Sequence, residues 1–283
     1  LFATDNELWI GTESGAYIYN LRTGKYTHLR SSEYDPYSLS DNAIYSFCKD
    51  REDGIWIGSY FGGVNYYPRS YTYFEKYYPK GIENSLHGKR VREFCRDNYG
   101  VLWIGTEDGG LNRFNLNTKE FSFFAPSAGF TNIHGLCLVD DKLWVGTFSK
   151  GLKIIDTRTG TVLKTYQKNS SPRSLIDNSI FAICRTATGD IYLGTMFGLV
   201  KYNKQSDDFD RIPELNGKFV YDIKEDSGGN IWLATYANGA YCYNVNDRKW
   251  KNYVHDEKDT TSLSYNKVSS IFEDSYHRIW LTT

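Results

Sequence analysis

ELWIGTESGAYIYN, residues 7–20, sets out an apolar triplet (Leu8-Trp9-Ile10), a small residue (Gly11), a hydroxyl (Thr12), a short polar gap and then Gly15. The same order returns around Trp56, Trp103, Trp144, Tyr192 and Trp232, and a seventh start stands at Trp280. Successive centres lie 47, 47, 41, 48, 40 and 48 residues apart, a period of about 45 that suits one blade of a β-propeller. A unit of that size buries its apolar surface only against its neighbours. The expected fold is all-β: a propeller of four-stranded antiparallel blades, six nearly complete plus the start of a seventh. The blades are expected near residues 1–30, 43–78, 90–124, 132–167, 180–212, 219–254 and, in part, 268–283.

Composition agrees with strands. Aromatic residues make up 17% of the 283, with 24 Tyr, 16 Phe and 7 Trp against one Met and six Pro, a choice that favours pleated sheet over helix. A net charge of −1 supplies no field to hold nucleic acid or an anionic membrane. No apolar run approaches the roughly 20 residues of a membrane helix. Leu1 already lies inside a repeat, so the chain is expected to be a fragment or a processed form. Six and a half blades leave a ring open, and the missing strands are expected outside it.

The second repeat serves as a template. Ile44 to Asp50 is a first strand, Ile55 to Ser59 a second, Gly63 to Tyr67 a third and Tyr73 to Tyr78 a fourth. The second strands are apolar at three consecutive positions, as in Ile55-Trp56-Ile57 and Leu143-Trp144-Val145. Absence of alternation means that both faces are covered. The small residue after the triplet (Gly11, Gly58, Gly105, Gly146, Gly194, Ala234) points to close backbone approach near the axis. The Gly opening each third strand (Gly15, Gly63, Gly110, Gly151, Gly198, Gly239) fits a hairpin turn with positive φ. Asn20, Asn115, Asp156, Asn203 and Asn244 close the third strands as Asx turns. Asp50, Asp97, Asp226 and Asp274 end first strands, where a carboxylate would bond the next turn. Cys48, Cys95, Cys137 and Cys184 recur one per first strand, too far apart on such a scaffold for a disulfide, and are expected as free thiols.

Between blades lies a second signature, Ser38-Leu39, Ser85-Leu86, Ser174-Leu175 and Ser262-Leu263, followed in three cases by Asn42, Asn178 or Asn266. The repeats around Trp144 and Trp232 lack it, which accounts for their short spacings. Connectors of this kind are surface segments in which function tends to reside.

Taken together, Ser-Leu-x-x-Asn, Asp-x-x-Gly-x-Leu-Trp-Ile-Gly-Thr and Gly-Gly-Leu-x-x-Phe-Asn resemble the two-component regulator propeller repeat. The likeness is clearest over Leu86–Asn115, with Asp97, Gly100, Trp103-Ile104-Gly105-Thr106, Gly109-Gly110-Leu111 and Phe114-Asn115. Departures are modest: Lys150 and Asn238 stand where Gly62 and Gly109 stand elsewhere, and Tyr192 replaces Trp. The resemblance implies the periplasmic sensor region of a Bacteroidetes-type hybrid two-component system. There two seven-bladed propellers precede a β-sandwich, a membrane helix and cytoplasmic histidine kinase and regulator modules. Such regions sense oligosaccharides and control genes of glycan use. The implied partners are an oligosaccharide, the remaining sensor-region domains (second propeller and β-sandwich) and, as an open alternative, a second copy in a homodimer. Nucleic acid, direct membrane contact, cofactors and metals are not expected.

Enzyme signatures are missing from the sequence. His28, His87, His134, His255 and His277 show neither metal-ligand spacing nor a neighbouring nucleophile motif. Glu107-Asp108 is a pair within one turn, whereas glycosidase carboxylates face each other across a bond. Binding has a better case. The loops between second and third strands are the least repetitive part of the unit, and the candidate ligand residues there are Tyr60, Phe61, Glu107, Asp108, Phe148, Lys150, Phe197, Tyr236 and Asn238. Flat rings beside acids, an amide and a lysine suit sugars. The competing readings are a structural or dimerisation scaffold with its ligand site elsewhere, and a propeller carbohydrate-active enzyme with a pair assembled from separate blades.

Overall fold

The computed structural model describes residues 1–35, 37–69, 75–124 and 129–283. Two compact units divide the chain, Leu1–Ile82 and Glu83–Thr283. The first holds two sheets: β1 (Phe2–Ala3), β2 (Glu7–Thr12), β3 (Gly15–Asn20) and β4 (Tyr26–Leu29), then β5 (Ile44–Lys49), β6 (Ile55–Ser59) and β7 (Val64–Tyr67). The second holds five. These are β8 (Val91–Arg96) to β11 (Phe121–Phe123), with β9 (Val101–Thr106) and β10 (Gly110–Asn115) between. Then come β12 (Ile133–Val139), β13 (Lys142–Thr147), β14 (Leu152–Asp156) and β15 (Val162–Tyr166). Next are β16 (Ile180–Arg185), β17 (Ile191–Thr195), β18 (Gly198–Asn203) and β19 (Asp208–Arg211). Last are β20 (Val220–Glu225), β21 (Ile231–Thr235), β22 (Ala240–Asn244) and β23 (Lys249–Tyr253), followed by the pair β24 (Ser270–Glu273) and β25 (Ile279–Thr282). Every sheet is an antiparallel meander in chain order, the blade pattern of a β-propeller.

One element departs from expectation. The fourth strand expected at Tyr73 to Tyr78 lies partly outside the described residues, and its described part, 75–78, joins no sheet. Tyr78 instead turns its hydroxyl to Asp35 in the connector, and Pro79 follows without an N–H for a ladder.

The cores lie between consecutive blades. Trp9 and Ile18 of one sheet pack with Ile44, Ile55 and Ile57 of the next in the first unit. In the second unit Trp103 and Leu111 meet Ile133, Leu136 and Leu143, and the pattern repeats from blade to blade. The small residue after each triplet makes this stacking possible. A Cβ on Gly105 would stand 2.6 Å from Ile133 Cγ2, one on Gly146 2.8 Å from Ile180 Cγ2, and one on Gly194 2.7 Å from Val220 Cγ1. What approaches is a β-branched residue of the next blade, its side chain first and, at Gly146 and Gly194, its backbone carbonyl at 3.2 and 3.1 Å. Each such anchor, fully buried, contributes about 1.5–3 kcal/mol.

Turns follow the local chemistry of the sequence. Gly110 has φ +81° and Gly151 +76°, and a Cβ there would run into the carbonyl oxygens of Phe130 and Tyr166. Asn115 Oδ1 accepts from Asn117 N and Thr118 N, as Asp156 does from Arg158 and Thr159. The connector signature is a clamp: Ser174 Oγ donates to Ser171 O and accepts from Asn169 N, Leu175 is fully buried, and Asn178 Oδ1 accepts from Lys168 N. Ser262 and Asn266 repeat the arrangement. All five cysteines are free, and burial pushes the Cys95, Cys137 and Cys184 thiols up to about 11. Among the described residues no helix is long and apolar enough to cross a membrane.

Candidate functional site

The loop end of each four-stranded blade of the second unit is built around a buried hydroxyl. Thr106 Oγ1 donates to Gly110 O at 3.0 Å and accepts from Gly109 N at 3.0 Å, spanning the hairpin between second and third strands. Thr147, Thr195 and Thr235 do the same for their loops and have no exposed surface. The hairpin backbone is thus held from inside.

Beside each hairpin the first strand carries a β-bulge. Ladder registers break between Ile44 and Ser46, Val91 and Glu93, Ile133 and Gly135, Ile180 and Ala182, and Val220 and Asp222. The apolar anchor before each break pairs with the hydroxyl residue closing the second strand. The residue just after it leaves the ladder. Those residues are Tyr45, Arg92, His134, Phe181 and Tyr221. A bulge re-aims a side chain without disturbing the sheet that carries it.

In the second unit four of these residues converge at one mouth. Arg92 Nη1 donates to Glu107 Oε1 at 3.0 Å, and its guanidinium lies 5.1 Å from the Tyr221 ring and 5.8 Å from Phe181. Phe181 meets His134 at 4.6 Å and Phe219 at 4.4 Å. Phe148 reaches His134 at 5.6 Å, and Tyr236 stacks on Phe219 at 5.5 Å. The first strands β8, β12, β16, β20 and β24 run side by side and line an open cavity of about 460 Å³, to which Arg92, Phe181 and Tyr221 also contribute. Glu93, Gly135, Ala182, Asp222 and Ser270 line it, one from each strand.

The electrostatics of this region are unusual. Burial pushes the Glu93 carboxyl up to about 7, opposed by Arg92 and reinforced by the Asp222 charge. Asp222 is engaged otherwise, accepting from Ile271 N at 2.9 Å. Burial drives His134 down to about 4, with Arg92 adding to the effect and Glu107 resisting it. The ring is therefore neutral at ordinary pH.

Of the residues expected at a ligand site, the structure brings Glu107, Phe148 and Tyr236 to this mouth. Asp108 instead accepts from Lys89 N and Arg90 N, bonds that hold its carboxyl below the usual range and make it a turn cap. Lys150 and Asn238 use their backbone N–H to complete the hydroxyl hairpins, as does Phe197, whose exposed ring stands apart. Tyr60 and Phe61 belong to the first unit, where Tyr45 stacks on Tyr60 at 5.2 Å and Phe61 meets Tyr60 edge to face at 4.3 Å. Reasoning from loops overlooked Arg92, His134, Phe181, Tyr221 and Glu93. The signal for the first four was a position in the first strand whose chemistry changes from blade to blade, and Glu93 follows it by one residue.

Ser227, Glu273 and His277 do not make a catalytic relay. Ser227 Oγ and Glu273 Oε1 both face His277 Nδ1, at 2.8 and 3.1 Å, so the ring cannot relay a proton from one to the other. Among the described residues no group of three or more His, Cys, Asp and Glu side chains is arranged to hold a metal ion.

Comparison with known proteins agrees with this architecture. The family model for the two component regulator propeller matches residues 38–61, 85–108, 214–237 and 262–283. A curated relative, "Histidine kinase P4" of Formosa agariphila, is 26% identical over 152 residues, covering 54% of this chain and 8% of that protein. The extracellular domain of BT4673 from B. thetaiotaomicron, described as a one component system, superposes on all of the chain with TM-score 0.61 at 20% identity. That of BT3049 from the same organism, described as a hybrid two component system, covers 99% of it with TM-score 0.59 at 23% identity. The chain spans 36% and 37% of those two structures, so at these identities the likeness establishes the fold. At those four stretches the chain carries two component regulator propeller repeats.

Proposed function

We propose that the chain is a ligand-sensing propeller segment of a membrane-anchored two-component sensor, held in the periplasm, and that its ligand is an oligosaccharide received at the mouth of the second unit. The observation that carries this reading is the set of bulges. A repeat that is otherwise uniform delivers an arginine, a histidine, a phenylalanine and a tyrosine to one place beside a cavity. Aromatic faces with a few polar groups are what sugar sites require. Support for the sensor comes from the repeats themselves and from a histidine kinase relative much longer than this chain. Ligand binding would then bias the arrangement of rigid propellers that the downstream segment reads.

A scaffold reading draws on the chain's share of the solved extracellular domains, about a third; the ligand site would lie in the remainder. Calorimetry with a panel of glycan fragments separates the two. Heat with this chain, reduced by replacing Phe148 and Tyr236 together with serine, supports the sensing segment. Heat only with the whole extracellular region supports the scaffold.

A further inference from the structure

Glu93, Gly135, Ala182 and Asp222 each follow a bulge residue by one position, and all four line the cavity. The strands that carry them stand in the order β8, β12, β16, β20. Carboxyl groups thus flank a stretch of wall that is reduced to a hydrogen on β12 and a methyl group on β16. That stretch is space a ligand can occupy, and the cavity volume of about 460 Å³ lies within the usual range for a small-ligand site.

Three acidic or basic side chains belong to the lining, Arg92, Glu93 and Asp222. Two of them are engaged. Arg92 Nη1 donates to Glu107 Oε1 at 3.0 Å. Asp222 Oδ2 accepts from Ile271 N at 2.9 Å and its Oδ1 from Ile223 N at 2.8 Å. Glu93 accepts from no described residue. Tyr221, also in the lining, lies with its ring against Arg92, and β12, β16 and β24 bring the lining no charged group. A half-buried carboxyl therefore faces the cavity with no bond to hold its charge, and burial pushes it up to about 7.

The chemistry of a suitable partner follows. A ligand carboxylate would meet the charges of Glu93 and Asp222. A hydroxyl offers a hydrogen bond but no charge, while its bulk takes away water that solvates the carboxylate. An ammonium group offers both donors and charge, and charge-assisted bonds are the strong ones. The guanidinium that would repel it already spends its charge on Glu107.

Deepening the sugar-binding reading above, on which this step rests, we propose that the oligosaccharide carries a free amine, whose ammonium group enters the cavity and donates to the Glu93 carboxylate. Glu93 then distinguishes an amino sugar from its N-acetylated form. Only the ionised carboxyl makes this pair. Arg92, on the same strand, favours that form, and Asp222, on β20, opposes it. Affinity therefore falls as pH drops below about 7 and Glu93 takes up its proton, while the amine keeps its charge.

The test titrates short glucosamine and galactosamine oligomers, their N-acetylated counterparts and neutral glucose and galactose oligomers by calorimetry. Each is measured at pH 7 and pH 6 against this chain and the whole extracellular region, with and without Glu93→Gln, and thermal melts establish that the variant folds. An amine-bearing member is expected to bind about tenfold tighter than its N-acetylated counterpart and several-fold weaker at pH 6 than at pH 7. Glu93→Gln should remove both differences and leave the N-acetylated affinity within about twofold. Binding in which no amine surpasses its N-acetylated counterpart overturns the proposal. So does an amine preference that survives in the folded variant. Should the variant not fold, an amine preference that is unchanged between pH 7 and pH 6 in the unaltered protein overturns it as well. In each of these cases an oligosaccharide has bound and the sugar-binding reading stands. Silence from every oligosaccharide with both proteins removes that reading, and this inference with it.

Discussion

The two ends of a single blade treat their polar groups in opposite ways. At the end away from the mouth, Asp97 closes β8 with every acceptor in use. Its Oδ1 takes Tyr99 N and Val101 N, and its Oδ2 takes Trp103 Nε1, all at 2.9 Å. Asp50 with Trp56, Asp226 with Trp232 and Asp274 with Trp280 repeat the latch at 2.8–3.0 Å. At the mouth end of the same strands Arg92 and His134 keep unpaired nitrogens, and the Glu93 carboxyl is driven up to about 7. Saturated polar chemistry recurs where the fold is held. Of the four buried side-chain atoms without a partner among the described residues, two, Arg92 Nε and His134 Nδ1, lie where the repeat varies, a place at which a protein can depart from local consistency for the sake of binding.

The largest effect is expected where a latch is buried. Asp97 is 5% exposed, and Asp97→Ala strands three N–H groups in the core between two blades. The loss should be about 3–4 kcal/mol in urea unfolding. Asp274→Ala removes the same set of bonds around Trp280, which is 54% exposed. Water can replace them there, and about 1 kcal/mol is expected. Equal costs at the two positions would show that the latch works through its local turn and owes nothing to burial between blades.

How much of this could be read from residues alone follows the reach of the interactions. Asx turns at Asn115 and Asp156, the positive φ of Gly110 and the Asp–turn bonds are settled within four residues, and all were legible. The period announced the stack of sheets for the same reason, because each repeat carries its own hairpins. The role of Gly105 was half legible: its smallness was plain, but Ile133 of the next blade, which needs the space, is a distant partner. Ser174 and Leu175 read as function and proved to be a clamp. The mouth was illegible because a bulge is a relation of register between strands, and Tyr45, Arg92, His134, Phe181 and Tyr221 follow no common residue type. Loops drew the attention, yet only Glu107, Phe148 and Tyr236 of the expected set reach the converging residues.

A smaller effect, opposite in sign, is expected at Glu93. Its carboxyl titrates near 7 in the folded chain against 4.5 ordinarily. Between those values the native state holds more protons than the unfolded one, so stability falls as pH rises through this window and stays low above it. Glu93→Gln removes the titration. The variant should match the parent near pH 4 and exceed it at pH 8 by no more than about 3 kcal/mol. A parent whose stability is level from pH 4 to 8, or a variant that is weaker at pH 8, would mean that the cavity solvates this carboxylate well. The mouth end would then lose its claim to unsaturated chemistry.

The smallest effect sharpens where the mouth stops. Phe197 and Phe148 occupy matching loops of neighbouring blades and are 52% and 38% exposed. Phe148 has ring contacts with His134 at 5.6 Å and Phe181 at 6.0 Å. Phe197 is tied in through its backbone, donating its N–H to Thr195 Oγ1 at 3.2 Å, and that bond survives any side-chain change. Phe197→Ser should therefore alter stability by less than about 0.5 kcal/mol and sugar affinity by less than about twofold. Phe148→Ser, losing an aromatic contact worth about 0.5–1.5 kcal/mol, should weaken binding several-fold. Matching losses would extend the binding surface outward along the loops, and the boundary drawn by the bulges would have to move with it.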